Sequence, residues 1–233
     1  MKMTSRAFAV FLLLANLAAR AADSKAELLA RMDKASSQFK AMTAEVTYLT
    51  HSDVLNDNTT ETGSVVMKKM QPGEVQGLID FIKTPDKRTV TFEKRRVRIY
   101  YPKTKIVQEW DLGDQGEQLD QFLMIGFGTS GTALARDYSV KVFPPEAAKG
   151  RQGVQAVRLE LEPKATKARD YVKKLELWIP ASGDPYPLEE KISQPTGDYR
   201  VITYSNLQIN PPLKPDALEL KLPPGVVVEH PGK

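Results

Sequence analysis

The chain reads as a mainly β protein, one antiparallel sheet of about ten strands with helices at its start and in its middle. Three observations predict this. Alternation with period two sets in at residue 43 and returns in segment after segment. Helical spacing is confined to residues 24–41 and 116–137. Of the 16 prolines, 13 lie beyond residue 140, where they exclude long helices. A sheet of that many strands curls or closes.

The first 21 residues read as an address. Residues 1–6 are basic, residues 7–19 are apolar and uncharged, and Ala19 and Ala21 flank Arg20 at the positions a signal peptidase reads. The apolar run is 13 residues long, short of the roughly 20 that a bilayer span needs. We therefore expect a signal peptide over 1–21, a single domain over 22–233, and an exported protein. The whole chain carries 33 basic and 29 acidic residues, a formal charge of +4. Removing Lys2, Arg6 and Arg20 with the signal leaves 30 bases against 29 acids, so the basicity is mostly targeting charge. That argues against nucleic acid as a partner. The chain has no cysteine, which excludes disulfides, thiolate chemistry and a lipid anchor on cysteine.

Ser24 and Glu27 fit a capping box. Behind them Leu28, Met32, Ala35, Phe39 and Met42 form one apolar stripe, while Lys25, Arg31, Lys34 and Lys40 occupy the other face. Strands over 43–55 and 59–70 flank a turn at Asn56-Asp57-Asn58. Further strands are expected at 75–84, 87–94, 96–101 and 105–112, with Val97, Ile99 and Tyr101 on a dry side and Arg96, Arg98 and Tyr100 on a wet one. In the middle, Leu119, Phe122, Leu123, Gly126 and Phe127 recur at helical spacing, and a short helix follows near 131–137. The remaining strands are read at 138–143, 153–162, 171–179, 186–194, 199–209 and 218–228.

Candidate chemistry is sparse. Gly126, Gly128 and Gly131 match G-x-G-x-x-G, yet they follow a helix where a dinucleotide site must follow a strand, so we read them as a helix-terminating loop. His51 and His230 have no ligand at metal spacing. Asp111, Asp114, Glu117 and Asp120 suit the positive end of the middle helix rather than acid–base work. No Ser stands in a nucleophile elbow. No enzyme activity, metal or cofactor is expected. What remains is apolar material on two helices and one sheet face, and a curled sheet with an apolar concave face can hold a ligand.

Four stretches resemble the outer-membrane lipoprotein carriers of the LolA family. They are Tyr100 to Leu112 with its Y-x-P turn, Gln121 to Gly131 with Asp137-Tyr138 after it, Leu175 to Pro180, and Gly197 to Pro212 closed by Leu222 to Val226. The resemblance spans nearly all of the chain beyond the signal. It implies an unclosed β-barrel, a strongly curved sheet with a helical lid over a hydrophobic cavity. It implies a monomeric periplasmic chaperone that takes lipoprotein acyl chains from an inner-membrane ABC transporter and passes them to an outer-membrane acceptor. The same fold also implies an alternative, a periplasmic lipid-binding or sensing module with another apolar cargo; an exported hydrolase is a weaker third reading. The family carries a Lys-Arg-Pro run at the end of its second strand, and the Arg helps to hold the lid. Here the run is Lys68-Lys69-Met70-Gln71-Pro72, with Lys69 at the Arg position. Lysine lacks the planar fork of arginine, so the lid contact is expected to be built differently.

On this reading Val65, Met67, Phe81, Phe92, Val97, Ile99 and Trp110 are assigned to the cavity. Leu28, Met32, Phe39, Leu119, Phe122 and Leu123 are assigned to the inner side of the lid. The strand assignments depend on register, since a slip of one residue moves every side chain to the other face.

Overall fold

The computed structural model describes residues 25–71, 74–84, 86–113, 116 and 121–231. The signal segment, Ser24 and Leu119 lie outside the described residues, as do Asp114, Glu117 and Asp120. Helix α1 covers 25–38 and leads directly into the sheet. It ends three residues earlier than its apolar stripe suggested, because Met42 belongs to a strand whose alternating side chains continue that stripe onto the sheet.

The strands are β1 (Ala41–Ser52), β2 (Asp57–Lys69), β3 (Val75–Lys83), β4 (Arg88–Glu93), β5 (Arg96–Tyr101) and β6 (Ile106–Asp111). After helix α2 (Gly131–Asp137) come β7 (Tyr138–Val142), β8 (Glu146–Ala147) and β9 (Gln155–Pro163). Helix α3 (Thr166–Arg169) precedes β10 (Lys174–Pro180), β11 (Glu189–Ser193), β12 (Tyr199–Ile209) and β13 (Val227–Glu229). All belong to one sheet in the order β13-β6-β5-β4-β3-β2-β1-β12-β11-β10-β9-β7, with β8 on β9. The expected mainly β, curved and unclosed sheet is what is found. A twist of roughly 20° per strand pair curls so long a path, yet β13 and β7 remain at its two ends and do not pair.

Several expectations need correction. Among the described residues the sheet has thirteen strands, where about ten were expected. It is not purely antiparallel, since β13 pairs with β6 in parallel. The expected strand at 218–228 shrinks to Val227–Glu229. The chain must cross six strands between β12 and β13, and the prolines at 211, 212, 215, 223 and 224 hold much of that crossing outside any ladder. The turn of the first hairpin lies at 53–56, not 56–58, so Val54 and Leu55 sit exposed at its tip. Residues 171–173 are not strand, because α3 takes up the chain ahead of β10. In the middle segment, residues 121–123 are helical but 124–128 form turns. Tyr100, expected on a wet side, is buried, as are Thr91 and Val107 on the same face. The outer face is thus covered there too.

Register fixes which side chains share the inner face. One row runs Trp110, Val97, Phe92, Gly77, Met67, Met42 and Ile209 from strand to strand. Phe92 lies flat across Gly77, where a Cβ would meet its ring at 2.0 Å. Another row runs Glu61, Tyr48, Ile202, Glu190, Leu177 and Leu159. Residues i and i+2 of each strand therefore face one interior, as the pleat requires.

Candidate functional site

The inner face is covered by helices and loops rather than by a second sheet. It divides into two apolar clusters. The first centres on Phe39, Met42, Val65, Met67, Phe92, Met124, Phe127, Tyr186 and Tyr204. The second centres on Leu28, Met32, Ile125, Leu134, Leu159, Leu161, Leu175, Leu177 and Ile179. Two segments straddle both. Helix α1 sends Ala35 and Phe39 into the first cluster and Leu28 and Met32 into the second. Segment 121–129 sends Leu123, Met124 and Phe127 one way and Phe122 and Ile125 the other.

Aromatic rings hold the junction. Phe127 stacks on Tyr186 at 6.1 Å, with planes 17° apart, and meets Tyr204 edge-on at 5.2 Å. Phe39 tilts against both Phe127 and Tyr186. Each such side chain, once buried, contributes roughly 1.5–3 kcal/mol. The two covers are therefore held mainly by apolar contact.

Polar contacts set their position. Arg31 donates from Nη1 to the Ala181 carbonyl at 3.1 Å, and from Nη2 to those of Pro180 and Gly183, both at 2.9 Å. Lys25 Nζ donates to the Val140 carbonyl at 2.7 Å. These two residues, read from sequence as lying opposite the apolar stripe, tie α1 to the β7 and β10 side of the sheet. Asp33 accepts from the backbone N–H and the hydroxyl of Thr132, at 2.9 and 3.0 Å, and so joins α1 to the start of α2. Ser130 caps α2 by accepting from the Ala133 N–H.

The glycine loop lets the covers approach one another and the sheet. At Gly126 the backbone has φ of +84°, which glycine tolerates best. A Cβ there would fall 2.8 Å from Pro187 and 3.1 Å from Glu190 Oε1. At Gly131 a Cβ would fall 2.2 Å from the Leu29 carbonyl oxygen, so α2 approaches α1 closely only without one. The G-x-G-x-x-G stretch is accordingly a loop between covers, as its position after a helix implied.

Within this apolar interior Glu190 is the exception. It is buried between Leu177 and Ile202 in the ladder, and its Oε1 has no hydrogen-bond partner among the described residues. Burial pushes its carboxyl up to about 8, against the opposing effect of the Tyr204 hydroxyl. Burial and the Glu190 carboxyl raise the Tyr204 hydroxyl well above its usual range. Nothing in the local sequence pattern marked Glu190, which sits in the run Glu189-Glu190-Lys191 and looks like a solvated strand face.

The interior also has a charged end. Arg88 grips Glu61 at 2.6 and 2.8 Å, Thr84 donates to the same carboxylate, and the Arg88 guanidinium lies 4.3 Å from the centre of the Phe81 ring. The Arg88 hydrogen bonds hold Glu61 below the ordinary carboxylate range despite desolvation.

The residues assigned from sequence fall as follows. Val65, Met67, Phe81 and Phe92 are buried, and Val97 is half-buried against the first cluster. Ile99 is half-buried on the same strand face, paired with Val90 and Gln108. Trp110 shares their row but is 39% exposed, because β13 pairs only along 106–108 and stops short of it. Leu28, Met32 and Phe39 are buried on the sheet-facing side of α1 and its end, while Phe122 and Leu123 are partly buried. Lys69 ends β2 with its N–H donated to the Lys40 carbonyl at 2.8 Å, and its side chain is half-exposed. The charged contacts that position α1 come instead from Arg31, Asp33 and Lys25.

Other candidates are accounted for locally. His51 stacks on Tyr199 at 4.5 Å and His230 lies 3.9 Å from Glu109. Among the described residues no group of His, Asp and Glu could hold a metal ion. A concavity of about 350 Å³ lies on the opposite face of the sheet, lined by Glu93, Lys94, Arg96 and Arg98. It is charged and separate from the apolar interior.

No family model matches the chain, and no curated protein does. Solved structures do match. An uncharacterized conserved protein from Thermus thermophilus is 12% identical, with a TM-score of 0.50 over 88% of this chain and 97% of that one. A LolA superfamily protein, NE2245 from Nitrosomonas europaea, is 14% identical at a TM-score of 0.40, over 84% and 96% of the two chains. LprF from Mycobacterium bovis is 12% identical at 0.48, over 84% and 97%. At these identities the likeness concerns the fold.

Proposed function

We propose that the protein is an exported, monomeric carrier that shelters acyl chains of lipoproteins between the inner and outer membranes. One observation carries the proposal: the apolar inner face of the sheet is covered by two short segments, α1 and 121–129, rather than by a second sheet. Each CH₂ removed from water gains about 0.8 kcal/mol, so an acyl chain can replace Phe127, Met124 and Phe39 against the same wall. Exchange of protein contacts for ligand contacts keeps net affinity low enough for release. The residues assigned above then take their roles, Val65, Met67, Phe81 and Phe92 as wall and Leu28, Met32, Phe39, Phe122 and Leu123 as cover. Donor and acceptor in this scheme are an inner-membrane ABC transporter and an outer-membrane acceptor. The signal-like residues 1–21 and the resemblance to LolA carriers support the location.

Native mass spectrometry of the protein taken from an envelope fraction tests the proposal. Adducts with the masses of diacyl or triacyl lipoprotein fragments are expected. A lipid-free protein that also fails to take up acyl chains in solution would end the carrier reading.

A further inference from the structure

A carboxyl group in an apolar wall has a cost unless something hydrogen-bonds to it. Glu190 is 7% exposed and its Oε1 is unpartnered. It lies on the inner face in the row between Leu177 and Ile202. Tyr204, equally buried, faces it from the neighbouring strand β12. Gly126 of the covering segment lies directly over the free oxygen, at the distance where a Cβ would be only 3.1 Å away. The polar pair is thus roofed by segment 121–129, with Gly126 over Glu190 and Phe127 against the Tyr204 ring, at the junction of the two apolar clusters.

We propose that Glu190, flanked by Tyr204, is a polar anchor that hydrogen-bonds the ester or amide carbonyl at the head of a bound acyl chain once segment 121–129 lifts. The inference rests on the carrier reading and adds to it the chemical feature of the ligand that is read. Because burial keeps the carboxyl protonated at neutral pH, it offers an O–H to a carbonyl oxygen and presents no charge. An uncharged linkage fits such a site, whereas a phosphate oxygen or an ammonium group would have to be desolvated beside an uncharged carboxyl, and the Arg151 guanidinium nearby is engaged by the Tyr204 backbone carbonyl. Apolar walls lie on either side of the anchor, Leu177 and Leu159 on one and Val46 and Val65 on the other, so hydrocarbon that replaces the lifted segment would meet apolar side chains in both directions. In the covered state the unpartnered oxygen disfavours closure, which lowers the barrier for a ligand that supplies the missing partner.

The test uses diphenylhexatriene, a hydrocarbon fluorophore, displaced by 1,2-dioctanoylglycerol or by its dioctyl ether analogue, which lacks both carbonyls. The wild-type protein is expected to bind the ester about three- to tenfold more tightly than the ether, the range of one net hydrogen bond. Glu190→Leu should abolish that preference, ester and ether then displacing diphenylhexatriene equally from the same variant, whatever its affinity for the dye itself. Glu190→Gln, which keeps a donor and an acceptor, should retain it. Equal binding of ester and ether by the wild type overturns the anchor without needing any variant to fold. An ester preference that survives in folded Glu190→Leu overturns it as well. A wild-type protein that takes up no diphenylhexatriene at all fails the carrier reading instead, a result distinct from a lost preference.

Discussion

Phe127 meets Tyr204 edge-on, ring centroids 5.2 Å apart and planes at 80°, and through this contact the covering segment grips the sheet. Phe127 also stacks on Tyr186 and is only 3% exposed. Replacing it with alanine should cost about 3–5 kcal/mol if the site cannot collapse. We expect a smaller loss in denaturant unfolding, together with faster amide exchange in 121–129, because the cover can lift away. Exchange confined to those residues checks the cover; uniform loosening of β1 to β12 would show that Phe127 is simply core.

Phe122 lies half-buried on the same segment against the second cluster. Phe122→Asp places a charge there, and the segment is expected to swing out while the sheet stays folded. Co-purifying lipid should disappear, with far-ultraviolet dichroism unchanged. Unaltered lipid content in this variant would remove Phe122 from the lid.

Gly126 has a left-handed backbone over Pro187 and Glu190. Gly126→Ala should cost about 1–2 kcal/mol from the backbone alone, with more from the contact at 2.8 Å. A midpoint shift of that size in urea unfolding is the expected readout, and an unshifted midpoint would mean that the loop relaxes freely.

Asp33 holds Thr132 by two hydrogen bonds on an exposed surface. Asp33→Ala should therefore cost only about 0.5–1.5 kcal/mol. Its more telling effect is on rate: uptake of an apolar dye should be faster, since α1 and α2 would no longer move together. Unchanged uptake kinetics would assign the pair to α2 capping alone.

The pH dependence of stability should have two limbs of opposite origin. Glu190 has its folded value raised from 4.5 to about 8 by burial. Its contribution is complete below the unfolded value and is lost as pH rises through about 8, because the unfolded chain ionises the group first. Glu61 is held low by Arg88, so its contribution is present above the usual carboxylate range and fades as pH falls through its lowered value. Glu190→Gln should flatten the upper limb, raising stability at pH 8 by a few kcal/mol relative to wild type. Urea unfolding at pH 5 and pH 8 for both proteins checks this; an equal pH slope in the variant would show that Glu190 is solvated in solution.

Order and type of most elements are legible from local periodicity alone. Val97 and Ile99 alternate with Arg96 and Arg98, and Leu28, Met32, Ala35 and Phe39 recur every turn, so the chain's own periodicity specifies strand or helix before any long-range contact forms. Pairing order was legible only as far as consecutive hairpins. The parallel addition of β13 to β6 joins residues about 120 positions apart, and nothing local encodes it. The apolar wall was legible at Val65, Met67 and Phe92, because alternation names a face once one strand is placed. Trp110 obeyed the same alternation and still reached the rim, since its exposure depends on where a distant strand stops.

Charged residues were the least legible. Arg31 and Glu190 carry the same local signature as solvated neighbours, yet one reaches three carbonyls about 150 residues away and the other lies under Gly126 without a partner for Oε1. Local pattern fixes which side of an element a residue occupies. What covers that side is decided only when the sheet has curled and α1 and 121–129 have come down upon it, because burial is a property of the assembled surface and not of the segment.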